Sequence, residues 1–488
     1  MKNGNPSIKK NFFMNAVLAM SSFLFPLITF RYVTGVLSTD GYGKVHFAIS
    51  VINYFSMAAQ LGIPTYGIRA CAAVRDDKEK LSQTVKELLG INLVTCVISY
   101  AVLAVAVFTL RRFADIRILM AIVSVTILLN AIGMEWLYKG LEKYTYITVR
   151  SLIFKAIALG GLFLLVREET DYLAYGFIAI FAAGASNVLN FINARKYITV
   201  TNKPLDWKRH MKPISVFFAM SAATIIYTNL DVVMLGFMKT DTDVAYYEAA
   251  VKVKSVLVSV VTSLGTVLLP RASYYIKNRM WDKFDEISEK AVNFVVIAAF
   301  PLAVYFMMFA KRSLFFLSGE KYAPAIVPMM ILMPTLLLIG ITNILGMEIL
   351  VPLGREKDVL YSVSAGALTD LVLNAFLIPR YASTGAAIGT LSAEAAVLIV
   401  QLWFVRDKIH DLFGPVRYPA VFAALAAGAA VSAAFIFIDM HNFLALVCSA
   451  VLFFGAYAGV LLVLKEPMMR EIFRTVVKKL WKKDVFPS

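Results

Sequence analysis

The sequence is short of cysteine, histidine and charge. Its 488 residues include three cysteines, Cys71, Cys96 and Cys448, and four histidines. The cysteines are too few and too scattered for a disulfide or metal framework. The histidines follow no spacing that would hold zinc or haem. Only 16% of the residues are charged, against 59% hydrophobic, where a soluble globular domain carries roughly 25% charged residues. Large polar insertions are missing too. The connections on the side away from the termini are short, such as MKTDTD (238–243) and DMHN (439–442). They leave no room for an enzyme domain outside the membrane.

Apolar runs fill the chain instead. Each is about 20 residues long, enough to cross a bilayer core as a helix. Fourteen spans are expected, at 12–36, 46–66, 88–110, 118–138, 146–166, 172–194, 214–237, 244–268, 291–310, 325–351, 359–378, 385–405, 419–438 and 443–464. The class is an all-α polytopic membrane protein. The first run follows a polar, basic opening and lacks a small-residue cleavage site, so it is expected to stay as span 1. An even number of spans puts both termini on one side. The segments on that side carry 34 of the 48 lysines and arginines, Arg150 in the first turns of span 5 counted with them, and the opposite loops carry 10. Positive charge marks the cytoplasmic face, so both termini are expected in the cytoplasm. The same bias accounts for the net charge of +16 without a nucleic-acid partner.

Two cytoplasmic stretches have amphipathic character. RASYYIKNRMWDKFDEISEK (271–290) reads as a surface helix. From Met468 to Trp481, apolar residues gather on one side and Arg470, Arg474, Lys478 and Lys482 on the other. That pattern reads as an interfacial helix on an anionic leaflet.

An internal repeat organises the chain. GMEWLYKGLEK (133–143) closes span 4 and GMEILVPLGREK (346–357) closes span 10, six spans later. A weaker echo links GVLSTD (35–40) after span 1 to GFMKTD (236–241) after span 7. Six is even, so the two halves share a topology and are related by an axis along the membrane normal. The expected domains are an N-lobe of spans 1–6 (1–200), a C-lobe of spans 7–12 (201–410), and spans 13–14 with the amphipathic tail (411–488). Two six-helix lobes would enclose a cleft, as in an alternating-access transporter.

Charges within spans are costly, by about 2.5–3.5 kcal/mol on insertion scales, and usually face a cavity or a partner. The candidate substrate-binding cations are Arg31, Lys155, Lys252 and Lys254. Arg31 either snorkels to the outer headgroups or serves as an anion ligand. Lys155 lies near the middle of span 5, too deep to snorkel easily. Glu248 and Lys252 are spaced for an intrahelical pair, whereas Lys254 lies about 200° around the helix from Lys252. The candidate cation-coupling residues are Asp231, Asp370, Asn374 and Glu394. Asp370 and Asn374 are four apart and share a face. Oxygen ligands suit Na⁺ or a proton; alternatively these acids neutralise Lys155 and Lys254. Glu135 and Glu348, in the repeated Gly-Met-Glu, read as structural, capping a helix or pairing with loop cations. Aromatic side chains that pack against sugars or a lipid chain are available at Tyr54, Trp136, Tyr227, Tyr246 and Tyr247.

Several motifs together resemble the polysaccharide transporter family of Wzx-type oligosaccharide repeat-unit flippases. They are NFFMNAVLAMSSFLFPLITF (11–30), GYGKVHFAISVINYF (41–55), LGIPTYGIRACAAVRDDKEKL (61–81), GMEWLYKGLEKY (133–144), YTNLDVVMLGFM (227–238), VKVKSVLVSVVTSLGTVLLPRASYY (251–275) and LVPLGREK (350–357). The likeness runs over roughly residues 10–410 and weakens in spans 13 and 14. It implies a MATE-like fold of about 14 transmembrane helices. It also implies translocation of undecaprenyl-pyrophosphate-linked oligosaccharides from the cytoplasmic to the outer leaflet of the bacterial plasma membrane. The related lipid II flippases use a basic central cavity, in keeping with the cations above. One departure stands out. The family commonly reads PYVSR where this chain has Arg31-Tyr32-Val33-Thr34-Gly35. The usual proline is Arg31 and the usual arginine is Gly35, one turn apart on one helix face. The basic group is expected to have moved along that face.

The expected protein is therefore a flippase rather than an enzyme, acting without a cofactor, with Na⁺ or H⁺ as candidate coupling ions. Its expected partners are the lipid-linked glycan, membrane lipids and the glycan polymerase machinery, and it is expected to be a monomer. The alternative on the same fold is a MATE-type cation-coupled multidrug exporter. Its usually cationic substrates favour an acidic cavity, against Arg31, Lys155 and Lys254. A glycan polymerase or glycosyltransferase would need the outer loop or clustered acidic and histidine site that the chain lacks.

Overall fold

Glycines, positive-φ residues and caps cut the apolar chain into helices. The protein is described by a computed structural model that covers residues 8–199, 204–471 and 473–474. No strand occurs among the described residues. Among the described residues, ten helices are long and apolar enough to cross a membrane. A bent pair, Glu320–Leu332 with Thr335–Leu350, makes an eleventh when taken as one. The 49-residue helix Glu356–Phe404 is one by length, but it breaks at Ala382, which has φ 48°. Across that break the chain folds back on itself. Gln401 Nε2 donates to Ser362 Oγ at 3.2 Å, and a Cβ on Gly385 would lie 2.4 Å from the Leu377 carbonyl oxygen. The arms 356–381 and 383–404 are the expected spans 11 and 12. With the helices Ile8–Val36 and Asp241–Lys277, each expected span lies on helix.

Local chemistry explains the breaks. Span 2 is two helices, Thr39–Gln60 and Ile63–Ala73, joined by Leu61 and Gly62 at φ 46° and 75°. Ser38 caps the first by accepting from the Gly41 N–H. Asp77 caps Lys78–Thr109; the N–H of Lys80 and its ammonium hold that carboxyl below the usual carboxylate range. The repeated Gly-Met-Glu marks a helix irregularity both times. Met134, at φ 42°, separates Arg117–Gly133 from Glu135–Gly140. The second copy lies in the π-helical turn Ile344–Leu350. The expected surface helix at 271–290 is a correction. Its first part ends Asp241–Lys277 and its second begins Trp281–Met308, with Arg279 at φ 56° between them. The expected tail helix lies mostly outside the described residues.

The chain packs as two compact units, Met1–Glu248 and Ala249–Ser488. Span 7, helix Lys208–Met238, belongs with the first because it lies on span 2. Asn53 Nδ2 donates to Asn229 Oδ1 at 3.1 Å. Gly236 makes room for the Phe47 ring, 2.0 Å from where a Cβ would stand. Gly43 is closer still to its neighbour: a Cβ there would lie 1.7 Å from the Asp241 carbonyl oxygen. In the second unit, Tyr418–Ser432 packs along Asn442–Val463. Tyr457 and Tyr305 tie Asn442–Val463 to Trp281–Met308 through bonds to the Ile297 and Leu446 carbonyls, at 3.0 and 2.8 Å. Such internal partners are what polar groups need where water is absent.

Candidate functional site

In the first unit, span 5 (Tyr144–Leu165) runs alongside span 1 (Ile8–Val36), in the same direction. Thr148 Oγ1 donates to the Met14 carbonyl at 2.9 Å, and the Lys155 ammonium to Ser21 Oγ at 2.9 Å. Further along, the Tyr32 and Phe163 rings meet edge-on at 4.6 Å. Arg31 and Lys155 are thus on neighbouring helices. Arg31 lies ten residues beyond the level of Lys155, about 15 Å along the axis at 1.5 Å per residue. Arg31 and Gly35 are both exposed, and a Cβ on Gly35 would meet nothing within 4 Å. Packing therefore does not require glycine there.

Span 5 holds a further cation, Arg150, that the sequence reading passes over because it falls within the first two turns of the span. It is buried, donates to the Ser186 carbonyl at 2.9 Å, and its Nε has no hydrogen-bond partner among the described residues. Lys252 and Lys254 are half-buried on Asp241–Lys277. No Glu248–Lys252 ion pair occurs among the described residues. Glu248 instead lies 3.5 Å from His46 Nδ1.

Asp231 is buried and accepts a 2.5 Å hydrogen bond from the Tyr247 hydroxyl. In the second unit, the hairpin of spans 11 and 12 assembles the other oxygen-bearing residues. Asp370 and Asn374 share a face as expected, and Asn374 Nδ2 donates to Asp370 Oδ1 at 3.1 Å. Gly389 on the returning arm presses on both. A Cβ there would lie 2.2 Å from Asn374 Oδ1 and 3.1 Å from Asp370 Oδ1. The register set by Ser362 with Gln401 and by Asn374 with Gly389 puts Glu394 level with Asp370. All three polar side chains are at least nine-tenths buried. No group of three His, Cys, Asp or Glu fit to hold a metal occurs among the described residues. A hard cation here would also draw on amide and carbonyl oxygens.

Glu135 pairs with Lys139 at 2.9 Å, in line with its structural reading. Glu348 departs from that reading. It is 3% exposed, and its Oε1 has no hydrogen-bond partner among the described residues. It lies buried within the π-helical turn Ile344–Leu350.

The densest ionic cluster escapes the sequence reading. Glu87, 1% exposed in Lys78–Thr109, accepts from Arg209 Nε at 2.9 Å and Nη2 at 2.5 Å. It also meets His210 Nε2 at 2.8 Å, Gln83 Nε2 at 2.7 Å and the Asp206 N–H at 2.9 Å. His210 Nδ1 lies 2.8 Å from the Tyr66 hydroxyl. Just past the other end of that helix, in the turn Arg111–Ile116, Arg112 pairs with Asp241 and donates to the Gly236 carbonyl at 2.5 Å.

Fold and intramembrane charges together define a multi-pass, all-α membrane protein of MATE-like architecture. The lipid II flippase MurJ, in an inward closed conformation, superposes with a TM-score of 0.72 at 15% identity, covering 94% of this chain and 99% of that one. An inward-facing multidrug resistance MATE family transporter gives 0.60 at 14% identity, over 82% of this chain and 98% of that one. The chain belongs to the polysaccharide biosynthesis protein family, whose model matches residues 8–275. A second model, MatE, matches residues 217–376. Two bacterial proteins carrying the name "Putative O-antigen transporter" align over nearly their whole lengths. The one from Escherichia coli K12 is 23% identical over 412 residues, 84% of this chain and 99% of its own. The one from Shigella dysenteriae is 25% identical, over 82% of this chain and all of its own.

Proposed function

We propose that the protein is a flippase for undecaprenyl-pyrophosphate-linked oligosaccharide repeat units. It carries them by alternating access from the cytoplasmic to the outer leaflet of the bacterial inner membrane, with both termini in the cytoplasm. The observation that carries this reading is the alignment, over nearly the whole length of the relatives and more than four-fifths of this chain, with proteins named as O-antigen transporters, in a chain of the polysaccharide biosynthesis family. The intramembrane cations support it. Basic groups within a bilayer favour an anionic substrate, and arginine and lysine both bind phosphate well. Arg31 and Lys155, at different depths on adjacent helices, would meet a pyrophosphate in turn, and Lys252 and Lys254 supply further positive charge. The prenyl chain stays in lipid. No covalent step is needed. The flippase works as a monomer among membrane lipids and hands its cargo to the glycan polymerase machinery. Asp231 in the first unit and the Asp370–Asn374–Glu394 group in the second are its sites for Na⁺ or H⁺ coupling.

The match of residues 217–376 to the MatE model favours a second reading, a cation-coupled drug exporter. The cations on spans 1, 5 and 8 oppose it.

The test is transport in a flippase-deficient host, read as exposure of a labelled prenyl-pyrophosphate glycan at the outer leaflet. Wild type restores exposure, whereas Arg31→Ala and Lys254→Ala lower it at least tenfold with normal amounts of protein. Gly35→Arg restores function to Arg31→Ala, since the side chain at 35 has room and shares the face. Failure of wild type to expose the glycan would overturn the assignment.

A further inference from the structure

We infer that the cytoplasmic end of spans 13 and 14 carries a binding site for the phosphate of a lipid headgroup. The site is separate from the intramembrane cations and does not depend on the flippase reading. Arg417 stands at the start of Tyr418–Ser432, and Leu464 follows the end of Asn442–Val463. Both therefore lie where the chain leaves the membrane on one side. Between them opens a cleft of about 760 Å³ lined by Arg417, Lys465, Arg470 and Arg474, with Glu471 its one acid.

The cleft is built rather than incidental. Lys465, at φ 60°, turns the chain out of span 14. Glu466, 1% exposed, then pins the turn. One of its oxygens accepts from Asn293 Nδ2 of Trp281–Met308 at 3.0 Å. The other accepts from the Met469 N–H at 2.6 Å and caps the helical tail. That cap fixes the register in which Arg470 and Arg474, four apart, face one way. Arg417 spends one N–H on the Leu464 carbonyl, at 3.3 Å, out of the five that a guanidinium carries. Lys465, Arg470 and Arg474 make no ion pair among the described residues. Four cations held around one opening repel each other unless an anion joins them. The opening lies where a helix end meets the headgroup layer, so the fitting anion is a phosphate carried by a lipid. Arginine grips phosphate oxygens in a fork, with more directionality than lysine.

Binding is measured on the full-length protein in detergent micelles. The probes are undecaprenyl pyrophosphate, dioleoyl phosphatidylglycerol and inorganic pyrophosphate, each against wild type, the triple variant Arg417→Gln/Arg470→Gln/Arg474→Gln, and Glu471→Gln. The triple variant is expected to lose at least tenfold in affinity for a phosphate-bearing lipid. Glu471→Gln, which removes the opposing charge, is expected to gain severalfold. A loss confined to undecaprenyl pyrophosphate assigns the site to a prenyl carrier. A loss confined to phosphatidylglycerol assigns it to the surrounding phospholipid. Equal losses assign it to lipid phosphate of either source. Inorganic pyrophosphate bound as tightly as the lipids would overturn the lipid assignment. Unchanged lipid affinity in the triple variant would overturn the site, and so would weaker binding in Glu471→Gln, which keeps the proposal testable if the triple variant misfolds. Glycan exposure by wild type is measured separately, so failure here and failure of the flippase reading are distinct results.

Discussion

Glu87 shows how much a single residue can organise in a chain so poor in charge. Its two oxygens gather Arg209, His210, Gln83 and the backbone of Asp206. This ties the segment leading into span 7 to the start of span 3. Breaking a buried ionic group by removing one partner costs about 3–5 kcal/mol, because the remaining charge is left uncompensated. Arg209 is 46% exposed and can turn to water, so Glu87→Ala should fall at the lower end of that range. Glu87→Gln should cost less, since its amide oxygen still accepts from Gln83 and Asp206. The check is the thermal midpoint of detergent-solubilised protein followed by size exclusion; equal midpoints for all three proteins would refute a stabilising role. The sequence conceals this cluster because Glu87 and Arg209 are 122 residues apart, and Glu87 sits at the margin of a span, where a charge looks solvated. Asp370 and Asn374 were legible because their partnership is local, four residues along one helix. Glu248 was misread for the same reason in reverse. Its helical spacing pointed to Lys252, but His46 on another span is the neighbour that packing supplies.

At the scale of elements, hydropathy locates the spans, and glycines decide how closely they pack. Two of them separate a backbone constraint from a side-chain one. A Cβ on Gly43 would collide with the backbone of Asp241, at 1.7 Å from its oxygen, and a helix start cannot yield that much. Gly43→Ala is expected to remove most folded protein from the membrane. A Cβ on Gly389 would strike Asn374 Oδ1, and a side-chain amide can rotate aside. Gly389→Ala is expected to leave folded protein but displace Asn374 from Asp370, lowering transport severalfold. Comparing the monodisperse yield and glycan exposure of the two variants checks both expectations. Similar yields would mean that the span 2 contact adapts. The breaks at Leu61-Gly62 and Met134 fall inside spans 2 and 4, which hydropathy reads as continuous, and each lies at or beside a glycine. The stretch 271–290 was not read correctly, because two long spans that overrun the membrane alternate polar and apolar faces as a surface helix does. The fold-back at Ala382 is tighter than the loop expected between spans 11 and 12. A positive φ at alanine is set by the packing of the two arms rather than by local preference.

At the scale of the whole molecule, the charge bias and the proposed cargo make a joint prediction about energy. Moving one elementary charge through 100 mV is worth about 2.3 kcal/mol. A dianionic pyrophosphate leaving a negative interior would thus gain about twice that if it crossed the full field. In proteoliposomes, transport from the side of the termini should therefore quicken when that side is made negative, and slow when the potential is reversed, without any Na⁺ or pH gradient. Orientation must be known first. The lysine and arginine bias predicts that the loop 238–243 faces outside, so a cysteine introduced at Thr240 should react with an impermeant reagent in intact cells, and one at Asn278 should not. A rate indifferent to potential but dependent on Na⁺ or pH would point to the hairpin of Asp370, Asn374 and Glu394 instead. Asp370→Asn would then abolish the ion dependence while leaving the protein folded, since an amide of equal size still accepts from Asn374. The two results separate a flippase driven by its substrate's own charge from one driven by a bound cation.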